Sequence, residues 1–130
     1  MIFVDTSALY ALLDADEARH VQAASKWTDV VEQRPSLLTT NYVVLETTSI
    51  VQSRLGFQAT RRLYNDLLPP IAVHFVDAAL HDAAVDLLLA ENQRRVSLVD
   101  CVSFLFMRRN SMKRAFAFDR DFERFGFELC

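Results

Sequence analysis

The chain opens Ile2-Phe3-Val4-Asp5-Thr6-Ser7-Ala8 after its first methionine, and this stretch decides the fold class. Ile2, Phe3 and Val4 run without a polar break, as in a short strand buried on both faces. The run stops at an aspartate followed by two small hydroxyl residues, the signal of a helix start. An apolar strand running straight into a helix is the repeating unit of a layered α/β protein, and the pattern recurs. Leu37-Leu38-Thr39 leads into a helix from Asn41 to about Leu55, with Asn41 as its expected cap. Ile71–Val76 leads through Asp77 into Ala78–Glu91, whose apolar stripe is Leu80, Ala84, Leu87 and Leu88. Ala115–Phe118 and Phe127–Leu129 read as the last strands. Further helices are expected over Ala8–Leu13, over Ala18–Val31 before the break at Pro35, over Ala59–Leu68 before Pro69-Pro70, and from Ser97 to about Met107. The reading is a single α/β domain over residues 1–130, with a central, mostly parallel sheet covered by helices on both faces.

Composition narrows the function classes. With 52% hydrophobic and 24% charged residues, a chain of 130 can bury a core without covalent staples. The 2 glycines, Gly56 and Gly126, exclude glycine-rich phosphate loops. Two cysteines, Cys101 and Cys130, make no disulfide or zinc framework and point to a reducing, cytoplasmic setting. The longest uncharged run covers only residues 35–45, too short to span a membrane. Asp5, and the lack of a basic start, argue against a signal peptide. The net charge of −3 conceals an asymmetry: residues 1–93 carry 6 basic and 12 acidic side chains, residues 94–130 carry 8 and 5. Arg94, Arg95, Arg108 and Arg109, with Lys113 and Arg114, offer an anionic polymer a docking edge. Their ordinary role is to complement helix ends as solvated charges.

Four carboxylates stand in unusual places. Asp5 ends the first strand, where an aspartate ordinarily serves as a turn or cap residue. Glu46 falls three residues after Val43 and four before Ile50, on an apolar helical face, where it needs an arginine or another partner. Asp100 fits a capping box with Ser97. Asp119 follows the fourth strand and can cap the turn Arg120-Asp121-Phe122, with Asp121 two residues on. Singly, each has an ordinary explanation. Together, three of the four stand at the C-terminal side of a strand or the N-terminal start of a helix, the edge where α/β domains build sites. Converging carboxylates repel one another unless a cation joins them. Hard divalent ions such as Mg²⁺ or Mn²⁺ take oxygen ligands of this kind.

Read in order, the start "IFVDTSA", the segment "TTNYVVLETTSIVQSRLG", the segment "SLVDCVSF" and the closing "AFAFDRDFERFGFEL" resemble PIN-domain ribonucleases, in particular the VapC-type toxins of prokaryotic toxin–antitoxin modules. The similarity runs from residue 1 to about 129. It implies a Mg²⁺- or Mn²⁺-dependent endoribonuclease, commonly a homodimer, held in check by a small antitoxin. It maps the family's acidic quartet onto Asp5, Glu46, Asp100 and Asp119, with Asp5, Asp100 and Asp119 as metal ligands. Ser7 matches the family's small hydroxyl, and Asp121 is an outer or alternative ligand. Arg94, Arg95, Arg108 and Arg109 are candidate RNA contacts.

Rival readings lack their residues. Haloacid-dehalogenase-like phosphatases need a second aspartate where Ser7 stands. Receiver domains need a strand-end lysine, and the only lysines are Lys26 and Lys113. His20, His74 and His81 show no paired spacing for a two-histidine mechanism. The rival from another class is a catalytically silent PIN-like module binding RNA or protein. For partner contacts, Tyr10, Leu13, Trp27, Val44, Leu45, Phe57 and Tyr64 exceed what one buried helix face needs.

Overall fold

The computed structural model describes residues 1–130. Strands β1 (Ile2–Val4), β2 (Leu37–Thr40), β3 (Ile71–His74), β4 (Arg114–Phe116) and β5 (Glu128–Leu129) form one sheet in the order β3-β2-β1-β4-β5. Every pairing is parallel. Helices α1 (Thr6–Leu13) and α2 (His20–Gln33) connect β1 to β2. Helices α3 (Asn41–Leu55) and α4 (Phe57–Arg62) precede β3, α5 (Ala78–Glu91) and α6 (Leu98–Arg109) precede β4, and α7 (Asp121–Arg124) precedes β5. Parallel neighbours require crossovers, and these are right-handed. The path steps from β1 to β3 one way and returns to β4 and β5 the other way. The first four helices therefore cover one face of the sheet and the last three cover the other. The reversal falls between β1 and β4, and an α/β sheet opens its crevice there, beyond the strand carboxyl ends.

The central strand is apolar because it is covered on both sides: Ile2, Phe3 and Val4 are all buried. They belong to one core of 31 residues, in which Phe3, Phe104, Phe116 and Phe122 are the largest fully buried side chains. Phe104 is fully buried, stacked on Phe125 at 4.2 Å and edge-on to Phe122 at 5.0 Å. Cutting such a side chain to alanine costs about 3–5 kcal/mol.

Several expected boundaries shift. The cap of α3 is Thr40, whose hydroxyl accepts the Val43 N–H, while the Asn41 side chain accepts from Val76 N instead. Helix α2 starts at His20 rather than Ala18, because residues 15–19 form turns first. The helix expected over Ala59–Leu68 begins at Phe57, directly after Gly56 at φ 89°, and its last turn, Leu63–Leu67, widens to π geometry before Pro69. The third strand stops at His74. Strand β4 ends at Phe116, so Ala117 and Phe118 leave the ladder and carry Asp119 outward on a short extension.

Candidate active site

Asp5 is the first residue beyond β1 and the N-cap of α1. Its N–H donates to the Phe116 carbonyl at 3.1 Å, which carries the β1–β4 pairing one step past the strand. Asp5 Oδ2 accepts the Ser7 N–H at 3.1 Å and the Ser7 hydroxyl at 2.7 Å. Ser7 Oγ in turn accepts the Phe118 N–H at 2.9 Å. One hydroxyl thus joins the ends of β1 and β4 across the switch point, and Asp119 follows directly after its donor.

Asp100 lies in the first turn of α6 and completes a reciprocal capping box. Its N–H donates to Ser97 Oγ at 3.1 Å, and its Oδ2 accepts the Ser97 N–H at 3.0 Å. Asp119 Oδ1 accepts the Asp121 N–H at 2.9 Å, the turn that starts α7. Glu46 lies at the shoulder of the buried α3 stripe, Val43–Thr47–Val51, and is half-buried with no arginine paired to it. The capping role expected of Asp100 is real, and it does not take the residue away from the other three. Asp5, Glu46, Asp100 and Asp119 line one cavity of about 300 Å³ together with Ser7.

The electrostatics follow from burial and crowding. Burial pushes the Asp5 carboxyl up to about 6; the Ser7 hydrogen bonds oppose this, and the Glu46 and Asp119 charges add to it. Asp100 is pushed up to about 6, first by burial and then by Asp5 and Asp119, against the Ser97 N–H. Glu46 is raised by burial, against the Thr6 hydroxyl, with Asp100 and Asp119 adding. In Asp5, Asp100 and Asp119 one carboxylate oxygen is held by the protein and the other bonds to no protein group. An all-oxygen set of mutually repelling carboxylates, each aimed by one oxygen with the second left over, fits a hard divalent cation. The fit is one of donor chemistry: no three of these side chains already form a closed ligand cluster.

The other candidates separate. Asp121 is buried and outside the cavity lining; its Oδ1 takes Arg124 at 2.6 Å and Arg95 at 3.3 Å. Arg95 lines the cavity and Arg94 does not. Arg108 and Arg109 stand eight and nine residues beyond Asp100 on α6, about 12 Å along its axis at 1.5 Å per residue. Arg108 donates to the Phe125 carbonyl and lies over the Phe125 ring. Cys101 is buried in the core and does not line the cavity; burial, with the neighbouring Asp100 and Glu91 charges, pushes its thiol up to about 11. The histidines are engaged elsewhere: His20 with the Ala11 carbonyl, His81 with Tyr42, His74 against Phe106. Among the apolar residues expected to face a partner, Leu45, Phe57 and Tyr64 are exposed, Leu13 is buried, and Tyr10, Trp27 and Val44 pack on the core.

Five lining residues were not expected in the site: Thr6, Ile50 and Ser97, which neighbour the carboxylates, Tyr10, which was expected to face a partner, and Arg54. The signal for Arg54 was present: Glu46, Ile50 and Arg54 recur every four residues on α3, and all three line the cavity. Tyr10 follows Ser7 by three on α1, the same face.

Comparison with known proteins agrees with this geometry. The PIN domain family profile matches residues 2–128. The 23S rRNA-specific endonuclease VapC20 of Mycobacterium tuberculosis strain H37Rv is 37% identical over 128 residues, covering 98% of this chain and 95% of that protein. The crystal structure of M. tuberculosis VapC20, described as a sarcin–ricin loop cleaving toxin, superposes with a TM-score of 0.87 at 35% identity, over 98% of this chain and 96% of that one. FitAcB from Neisseria gonorrhoeae shares the fold, with a TM-score of 0.67 at 18% identity over 99% and 96% of the two chains.

Proposed function

This chain belongs to the PIN domain family, and from that premise we propose that it is a divalent-metal-dependent endoribonuclease acting as the toxin of a toxin–antitoxin pair. The observation that carries the reading is the convergence of Asp5, Glu46, Asp100 and Asp119 on one cavity at the β1/β4 switch point. Asp5, Asp100 and Asp119, each with one carboxylate oxygen that the protein leaves unbonded, are the residues that would hold the ion, Mg²⁺ or Mn²⁺. A divalent ion bound there supplies Lewis-acid polarisation of a phosphodiester and lowers the pKa of water. The chain does the rest. Ser7 fixes Asp5 in one rotamer, Ser97 fixes Asp100, and the turn to Asp121 fixes Asp119. Glu46 has no arginine partner and a raised proton affinity, which suits it to hold or accept a proton from attacking water.

The similarity to VapC20 supports 23S rRNA, at its sarcin–ricin loop, as the substrate. A small antitoxin partners the chain in the cytoplasm, and a homodimer is its free form; no helix is long and apolar enough to cross a membrane. The exposed Leu45, Phe57 and Tyr64 supply apolar area for such contacts. The test incubates the protein with ribosomes in Mg²⁺ or Mn²⁺ and maps RNA ends by primer extension, beside Asp100→Asn and Glu46→Gln. One discrete cut in 23S rRNA, lost in both variants, is expected. No cleavage with either ion, or equal cleavage by the variants, overturns the proposal.

A further inference from the structure

Two guanidinium groups line the acidic cavity, and neither is paired with any of its four carboxylates. Arginines placed to neutralise Asp5, Glu46, Asp100 or Asp119 would form ion pairs with them and consume the oxygens that face the cavity. Both are held by something else. Arg95, in the loop before α6, turns its Nε to Asp121 Oδ1 at 3.3 Å. Asp121 is only 8% exposed, lies outside the cavity lining, and is also held at the same oxygen by Arg124 at 2.6 Å, so it is a fixed anchor. Both Nη groups of Arg95 remain without a protein partner. Arg54, at the last turn of α3, has no ion pair; its guanidinium lies over the Tyr10 ring, 5.6 Å from the centroid.

The rim therefore presents two cations that make no ion pair with the four cavity carboxylates and keep guanidinium N–H groups available to donate. A guanidinium matches phosphate oxygens with paired N–H donors. A polyanion approaching four carboxylates needs such contacts to offset the repulsion. We propose that Arg54 and Arg95 form a phosphate clamp that grips the RNA backbone on either side of the bond to be cut, and that Asp121 is the positioning residue that aims Arg95. The inference rests on the nuclease reading and adds to it: Asp121 belongs to RNA positioning rather than to the ion.

The test measures binding of a short single-stranded RNA by fluorescence anisotropy against KCl concentration, in an Asp100→Asn background that blocks cleavage. Each neutralised phosphate contact lowers the slope of log K on log salt by about 0.7, so Arg54→Ala and Arg95→Ala should each flatten it by about 0.7 and the pair by about 1.4. In the cleaving protein, Asp121→Asn should lower kcat/KM about as far as Arg95→Ala, roughly tenfold, and the double variant should lose no more than Arg95→Ala alone. Additive losses would make Asp121 merely structural. If Asp121→Asn does not fold, Arg95→Lys is read instead: it should keep the salt slope and lose several-fold in kcat/KM, because it keeps the charge without the fork. Full activity of Arg95→Lys, or unchanged slopes in both alanine variants while native protein still cuts RNA, overturns the clamp alone. Native protein that neither binds nor cuts RNA overturns the nuclease reading with it.

Discussion

Ser7 Oγ lies 2.7 Å from Asp5 Oδ2 and donates to it, while the same oxygen accepts the backbone N–H of Phe118. The contact holds a buried carboxylate in one orientation and satisfies the Phe118 amide on the extension that follows β4, so it ties the position of Asp119 to that of Asp5. Ser7→Ala leaves the Phe118 N–H unpaired and should cost about 1–2 kcal/mol in denaturant unfolding. RNA cleavage should fall by about tenfold or more, and Ser7→Thr should restore most of it. Native activity in the alanine variant would show that Asp5 is oriented without the hydroxyl.

The acidic cavity gives stability a definite pH dependence when no divalent ion is bound. Asp5 and Asp100 are raised from 3.8 to about 6. A carboxyl raised on folding holds its proton more tightly in the native state, so its contribution is full below pH 3.8 and is lost as pH rises through about 6. For buried Asp5 this interval is worth about 3 kcal/mol. In EDTA the protein should therefore be more stable at pH 5 than at pH 7.5, and Asp5→Asn should be the more stable of the two proteins at pH 7.5 by about 1–2 kcal/mol. A native profile that rises towards pH 7.5 contradicts this assignment.

Divalent ions should reverse that loss. Mg²⁺ or Mn²⁺ at millimolar concentration should raise Tm at pH 7.5 by binding linkage, about 2.7 kcal/mol at a hundredfold excess over Kd. The Asp5→Asn/Asp100→Asn variant should hardly respond in differential scanning calorimetry. Equal shifts in both proteins would place the ion elsewhere.

Asp119 and Asp121, two residues apart, should respond differently to amide substitution. Asp119 lines the cavity, while Asp121 faces two arginines. Asp119→Asn should lower kcat more than a hundredfold with little change in Tm, since an amide can keep the turn bond to Asp121 N–H. Asp121→Asn should keep measurable cleavage and lower stability by about 1–2 kcal/mol. The reverse pattern in single-turnover cleavage and thermal melts would exchange their roles.

Removing the charges of Arg108 and Arg109 should leave the salt dependence of RNA binding close to native, because Arg108 is spent on the Phe125 ring and carbonyl. A slope flattened by about 1.4 in the double alanine variant would extend the RNA path along α6.

The sequence was legible where one residue had one dominant cause. β1 is apolar because both faces are covered, and Asp5 marks its end because a buried strand stops at the first charge that needs a cap. Asp100 was harder: the capping box and the cavity call for the same aspartate, and spacing cannot separate two roles that one side chain performs together. Glu46 was found by its misfit with an apolar stripe, although that stripe is Val43–Thr47–Val51 and Glu46 only borders it. Thr40 took the cap from Asn41 because Asn41 is spent on Val76, a contact 35 residues away that no local pattern encodes. The ion pair of Asp121, expected as an outer or alternative ligand, was illegible for the same reason, since Arg95 reaches it from a different loop.

The sheet order has a consequence for synthesis. β4 emerges late and inserts beside β1, and the bridge from Ser7 to Phe118 spans 111 residues of sequence. A growing chain exposes Asp5 and Glu46 long before Asp119 is made, and Asp100 only 19 residues before it, yet β1 has only one sheet neighbour until β4 docks. A chain that ends before β4 lacks Asp119 and one wall of the crevice, and should therefore fail to cut RNA. The site is thus completed only by the last fifth of the polypeptide, which carries β4 and Asp119.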